Sequence, residues 1–83
     1  MTDIRGGIVL VKEQAIGDVN GTNVLFNTSN RYISNTLRVE LNGQKLLSGS
    51  DFFETTDNGF TMAEPPMNSL GYVDRVVVEY ERK

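Results

Sequence analysis

The side chains equipped for acid–base chemistry are five carboxylates in the middle of the chain: Glu40, Asp51, Glu54, Asp57 and Glu64. Two of them could serve glycoside hydrolysis if the fold held them about 5 Å, or about 6.5–9.5 Å, apart across a cleft. Their spacing places no such pair, and 83 residues leave little room for a pocket that binds and distorts a sugar. The chain contains no histidine and no cysteine. That removes every nucleophile–histidine mechanism, thiolate and imidazole metal sites, and disulfides at once. The expectation is a protein that is not an enzyme and needs no cofactor.

A second group of oxygen donors alternates along Asp18-Val19-Asn20-Gly21-Thr22-Asn23. A calcium loop of the EF-hand type needs glycine at its sixth position and a bidentate glutamate at its twelfth. Here Gly21 stands fourth and Ser29 twelfth, so the pattern fails and turn chemistry is the simpler reading. Asn20-Gly21-Thr22 and Asn27-Thr28-Ser29 also match the N-glycosylation acceptor pattern. Met1-Thr2-Asp3-Ile4 lacks a basic start followed by an apolar stretch, so no secretory signal is expected.

The elements that position these groups read as short strands. Thr36 to Leu47 forms a hairpin around Asn42-Gly43, the pair that best tolerates the positive φ angles of a type I′ turn. A two-residue turn sets Leu41 opposite Gln44, Glu40 opposite Lys45, Val39 opposite Leu46 and Arg38 opposite Leu47. Leu37, Val39, Leu41 and Leu46 then share one face, and Arg38, Glu40 and Lys45 the other. A one-residue slip would put Lys45 on the apolar face, so patterning fixes the register. Leu47 alone breaks the alternation.

Upstream, Ile8-Val9-Leu10-Val11 is a continuous apolar run after Gly6-Gly7. Such a run is consistent with a strand covered on both faces, and it reads as an ordinary buried or slightly irregular first strand, or as an arm hinged at Gly6-Gly7 that adds to a neighbouring subunit. Asn20-Gly21 marks a turn before the strand Val24-Leu25-Phe26. Downstream, Phe52-Phe53-Glu54-Thr55 and Phe60-Thr61-Met62 flank a second Asn-Gly turn at Asn58-Gly59. Pro65-Pro66 is a connection, since proline has no amide to donate to a sheet. Met67 to Asp74 reads as a loop. Arg75 to Tyr80 closes the chain, with Val76, Val78 and Tyr80 inward and Val77 and Glu79 outward. Roughly six or seven short strands without helical periodicity predict an all-β fold, a small antiparallel sandwich or open barrel. Residues 1–16 form the N-terminal arm or first strand and residues 17–83 a single β domain.

Apolar residues make up 39% of the chain and tryptophan is absent. A domain of this size buries only roughly 60–65% of the surface its unfolded chain exposes. Without disulfides or metals, association with further copies is the remaining support. Net charge is −3 with a pI near 4.7, and no Lys/Arg cluster exceeds Arg82-Lys83. Nucleic acid is therefore not an expected partner. No apolar run is long enough to span a membrane, so none is expected there either.

Tyr32, Phe52, Phe53, Phe60, Tyr72 and Tyr80 could supply stacking platforms, with core packing the default for most. Phe52 and Phe53 point to opposite faces of one strand, so one ring lies outside the core. With Leu47 near the same turn they outline an apolar patch, which more often marks a protein interface than a ligand groove. The candidate contact residues are Ile8, Val9, Leu10, Val11, Leu47, Phe52 and Phe53. Tyr32 beside Asn30 and Asn35, and Tyr72 beside Asn68 and Asp74, are the weaker alternative of a glycan site.

The segment Asp18 to Phe26, with its Val-Asn-Gly-Thr-Asn core and following aromatic, resembles the opening of a small β module of tailed-bacteriophage structural proteins. The order of the later pieces is similar too: Thr28-Ser29-Asn30-Arg31-Tyr32, Leu41-Asn42-Gly43 and Gly49-Ser50-Asp51-Phe52. Phe60-Thr61-Met62, Pro65-Pro66 and Val76-Val77-Val78-Glu79-Tyr80 complete it. The resemblance covers about residues 18–80. It implies a virion component without catalysis, synthesised soluble in the host cytoplasm. The module usually sits inside longer chains, and a free-standing copy favours a head decoration or cement protein. The expected partners are further copies of the chain and a larger capsid, neck or tail protein. A glycan-binding adhesion module of a tail or fibre is the alternative.

Overall fold

The structure, a computed structural model, describes residues 9–69 and 71–83. The described residues are all-β: nine short strands in antiparallel sheets and no helix, in keeping with a small sandwich or open barrel. They are β1 (Val9–Gln14), β2 (Leu25–Asn27), β3 (Arg38–Leu41), β4 (Gln44–Lys45), β5 (Phe52–Thr56), β6 (Gly59–Met62), β7 (Asn68–Ser69), β8 (Tyr72–Val73) and β9 (Val76–Arg82). The larger sheet has the order β1-β9-β3-β4 and the second β2-β6-β5. A small hairpin, β7-β8, stands apart.

The last strand occupies the middle of the larger sheet. Its alternation is complete: Val76, Val78 and Tyr80 are buried, while Val77, Glu79 and Glu81 lie at the opposite face. Period-two patterning of this kind is what one buried sheet face demands. On one flank β9 pairs with β1, and on the other with β3. The outer face of this sheet carries charges of both signs in cross-strand rows: Lys12 opposite Glu79, Glu79 opposite Arg38, and Glu40 opposite Lys45.

The β3-β4 hairpin has the register its sequence demands, with Glu40 opposite Lys45 and Leu41 opposite Gln44. The Leu46 amide donates to Val39 O at 2.9 Å, continuing the ladder by one step. Asn42 and Gly43 both take positive φ, 54° and 86°. The hairpin lies at the sheet's edge, however, and the ladder stops before Leu47 can face Arg38. Leu47 instead starts a tight turn, its amide donating to Asp51 Oδ2 and its carbonyl accepting from Asp51 N.

The two sheets are stitched together at corners. Ile16 and Asn27 exchange both backbone hydrogen bonds at 2.8 Å. Tyr32 N donates to Asp57 O and Ile33 N to Glu81 O, so one short segment spans both sheets. Between them sits a core of Phe26, Tyr32, Leu37, Val39, Phe52, Phe60, Met62, Val76, Val78 and Tyr80. Phe60 is its hub, stacked on Phe26 at 5.9 Å and edge-on to Phe52 at 6.1 Å.

Two expectations about local structure change. The β5-β6 turn is Asp57-Asn58, and Gly59 is already the first residue of β6, with no positive φ. Glycine is needed there for space: a Cβ would stand 2.6 Å from Thr56 Oγ1 and 3.1 Å from Asn27 Nδ2. The stretch expected as a loop from Met67 to Asp74 contains a short strand pair, with Asn68 opposite Val73 and Ser69 opposite Tyr72.

Candidate docking surface

Among the sequence candidates, Ile8 lies outside the described residues. Val9, Leu10 and Val11 form the start of β1, paired antiparallel with the chain's own β9 at Arg82, Glu81 and Tyr80. Residues Val9–Gln14 are thus a strand of this chain's own sheet, and not one covered on both faces. Val11 packs against the core, whereas Val9 and Leu10 are exposed. No strand among the described residues lies on the outer flank of β1.

The Phe52-Phe53 pair splits as opposite faces require. Phe52 is 1% exposed and part of the core, which removes it from the contact surface. Phe53 is 43% exposed. It lies opposite Thr61, whose other neighbour is Leu25, 62% exposed. Directly opposed residues of an antiparallel pair share a face. Leu25, Thr61 and Phe53 therefore form one row across the outer face of the three-stranded sheet.

The adjoining row is Ile16, Asn27, Gly59 and Thr56. Ile16 is exposed as well. None of the residues in these two rows carries a charge, which sets them apart from the charged rows of the larger sheet. Gly59 keeps the middle of the second row low, and the side chains of Asn27 and Thr56 each reach over the place a Cβ would take. Leu47, though the most exposed large apolar residue among the described residues at 67%, belongs to neither row.

The sequence reading missed Leu25 and Ile16. Leu25 carried a signal, since the burial of Phe26 one residue later forces it outward. Ile16 carried none: its place depends on a corner that joins β1 to β2 across the sheets.

Tyr32 does not present a platform. Its ring is 3% exposed and edge-on to Tyr80, and its hydroxyl donates to Gly59 O at 2.6 Å. Burial first, and then the nearby carboxylates Glu54 and Asp57, push its pKa up to about 12. The two carboxylates line a shallow groove of about 240 Å³ beside it. Both are engaged: Glu54 accepts from Asn35 N and Ser34 Oγ, and Asp57 lies within 4.0 Å of Arg31 and Lys83.

Tyr72 is exposed, but its hydroxyl is held. Asn42 Nδ2 donates to it at 2.8 Å and to Asp74 Oδ1 at 2.9 Å. The hydrogen bond to Asp74 raises the Tyr72 pKa. The Met67 amide and then Asn42 hold the Asp74 carboxyl below its usual value. Asn42 Oδ1 accepts from Arg75 N at 2.7 Å, so one turn asparagine ties the β3-β4 hairpin to the β7-β8 hairpin.

The Asp18–Asn23 cluster is a turn. Asn20 Oδ1 accepts from Thr22 N, Thr22 Oγ1 and Asn23 N, and Gly21 has φ of 84°. Asn23 Nδ2 closes the loop onto Asp18 O and Leu25 O. These side chains are spent on shaping the chain where it enters β2.

No family model matches this chain, and neither a curated protein nor a solved structure is similar to it.

Proposed function

We propose that this chain is a structural protein of a tailed-phage virion, which associates with further copies and docks on a larger capsid, neck or tail protein. The observation that supports this most is the pair of uncharged rows carrying Ile16, Leu25 and Phe53 on the outer face of the three-stranded sheet. An exposed apolar patch on a small protein is a contact surface in search of a partner. Fully burying a leucine or phenylalanine side chain contributes about 1.5–3 kcal/mol each. Because the patch holds no charged group, docking there incurs none of the desolvation cost that buried ions carry. The order of motifs from Asp18 to Tyr80, similar to the phage module, agrees with this role.

Mass spectrometry of purified particles of the virus that encodes the chain tests the reading. The chain should be present at a fixed copy number. The double substitution L25E/F53E should leave it folded, by circular dichroism, yet absent from particles. Particles without the wild-type chain would end the proposal.

The glycan-binding alternative now rests on Tyr72 alone. An exposed tyrosine whose hydroxyl is fixed by Asn42 and Asp74 is a rigid stacking surface. A glycan array probed with a multimeric form, and silent, removes it.

A further inference from the structure

The outer edge of β1, where Val9 and Leu10 are exposed, is a second candidate surface, and the hydrogen-bond phase of the strand says what fits it. Ala15 N donates to Val76 O at 2.9 Å. In an antiparallel ladder the bonding direction alternates from residue to residue. Val9, Val11 and Glu13 therefore share the phase of Ala15 and bond to β9. Leu10, Lys12 and Gln14 turn their amides and carbonyls the other way. Ile16, in that second phase, spends both groups on Asn27 of β2. Ser29 follows beside Gln14, its amide held by the Glu13 carboxylate. Upstream of that point, the outward backbone groups of Leu10 and Lys12 have no strand beside them among the described residues.

We propose that two copies of this chain pair through this edge, antiparallel about a twofold axis at Val11. This specifies the self-association in the function proposed above and rests on that reading. The larger sheets of the two copies then join into one eight-stranded sheet, a case of strand addition between identical edges.

The side chains select the register. Facing residues must share a sheet face, so the axis falls on a residue rather than between two. An axis at Lys12 sets Lys12 against its own copy, and an axis at Glu13 does the same with two carboxylates. Like charges directly opposed are unfavourable. An axis at Leu10 keeps three facing positions, 9–11, among the described residues of β1. An axis at Val11 keeps five, 9–13, with no like charges opposed. Leu10 and Lys12 of one copy then exchange backbone hydrogen bonds with Lys12 and Leu10 of the other. Val11 faces Val11 as a non-hydrogen-bonded pair.

Single-cysteine variants read the register directly, because the chain has no cysteine of its own. In a non-hydrogen-bonded pair the Cα atoms stand about 4.5 Å apart, within disulfide range. V11C should therefore form a dimer under mild oxidation. In L10C and K12C the two thiols are offset by two residues, about 7 Å along the strand, and should not cross-link. Lys12→Pro removes an outward amide and spares the β1-β9 ladder, so it should give a folded monomer by analytical ultracentrifugation. Wild type should show a dimer that dissociates on dilution.

Cross-linking that is strongest in L10C or K12C overturns the proposal. So does association that survives Lys12→Pro. A chain that self-associates but cross-links through F53C overturns the β1 pairing and leaves the virion role standing. A chain that is monomeric at every concentration yet present in particles does the same.

Discussion

The Tyr80 hydroxyl donates to Glu13 Oε2 at 2.8 Å, fastening the central strand of the larger sheet to its edge strand. Ser29 adds its amide, at 2.9 Å, and its hydroxyl to the same carboxylate. Asn30 N donates to the Tyr80 oxygen. Three parts of the chain meet at one buried ring and one half-buried carboxylate. Tyr80→Phe keeps the ring and removes the contact. It should lower stability by about 1–2 kcal/mol in chemical denaturation.

The same carboxylate sets an acid limit. Burial alone would raise the Glu13 pKa, but the Ser29 hydroxyl, the Ser29 amide and the Tyr80 hydroxyl outweigh it and hold the pKa below 4.5. A carboxylate depressed in the fold contributes stability above its unfolded value and loses it as pH falls through the folded one. Asp74, held below 3.8, acts with the same sign. The melting temperature should therefore fall as pH drops below about 4.5. Glu13→Gln should be less stable at neutral pH and show a shallower acid decline.

Phe52 and Phe53 differ in one thing, the side of β5 from which they project. Phe52→Ala should cost about 3–5 kcal/mol, as a core ring replaced by a cavity. Phe53→Thr should stay within about 1 kcal/mol of wild type, since much of its ring is already in water. Equilibrium denaturation of the two variants measures the difference.

Two glycines with positive φ make a matched pair. At Gly17 a Cβ would lie 2.5 Å from Phe26 Cδ2 and 3.0 Å from Leu25 O, against the core and a backbone atom. At Gly49, with φ of 86°, a Cβ would meet nothing within 4 Å. Gly17→Ala should lose about 3 kcal/mol, from overpacking added to backbone strain. Gly49→Ala should lose about 1 kcal/mol, from the left-handed backbone alone.

Asn42 combines a backbone role with a side-chain role, and two substitutions separate them. Asn42→Gly keeps the turn and removes the tie to Tyr72, Asp74 and Arg75. Asn42→Ala removes the tie and adds about 1 kcal/mol of left-handed strain. Amide exchange at Tyr72 and Val73 should accelerate equally in both. Only Asn42→Ala should show the larger drop in melting temperature.

Sequence alone determined what is set within a few residues. The Asn42-Gly43 turn follows from which side chains accept positive φ, and its register from which residues must avoid the apolar face. The inward set Val76, Val78 and Tyr80 follows from a two-residue period. The split of Phe52 from Phe53 was legible too, but not which ring is buried. That depended on which side of β5 the larger sheet covers. Tertiary structure alone decided the rest. It buried Tyr32 by pinning its segment between both sheets. It removed the space for a side chain at Gly59 through Asn27 and Thr56, residues on two other strands. It also gathered Ile16, Leu25 and Phe53 on one face, though they are far apart in the chain. Local patterning sets the face within a strand, whereas pairing between distant strands sets which faces coincide, and the proposed docking surface is of the second kind.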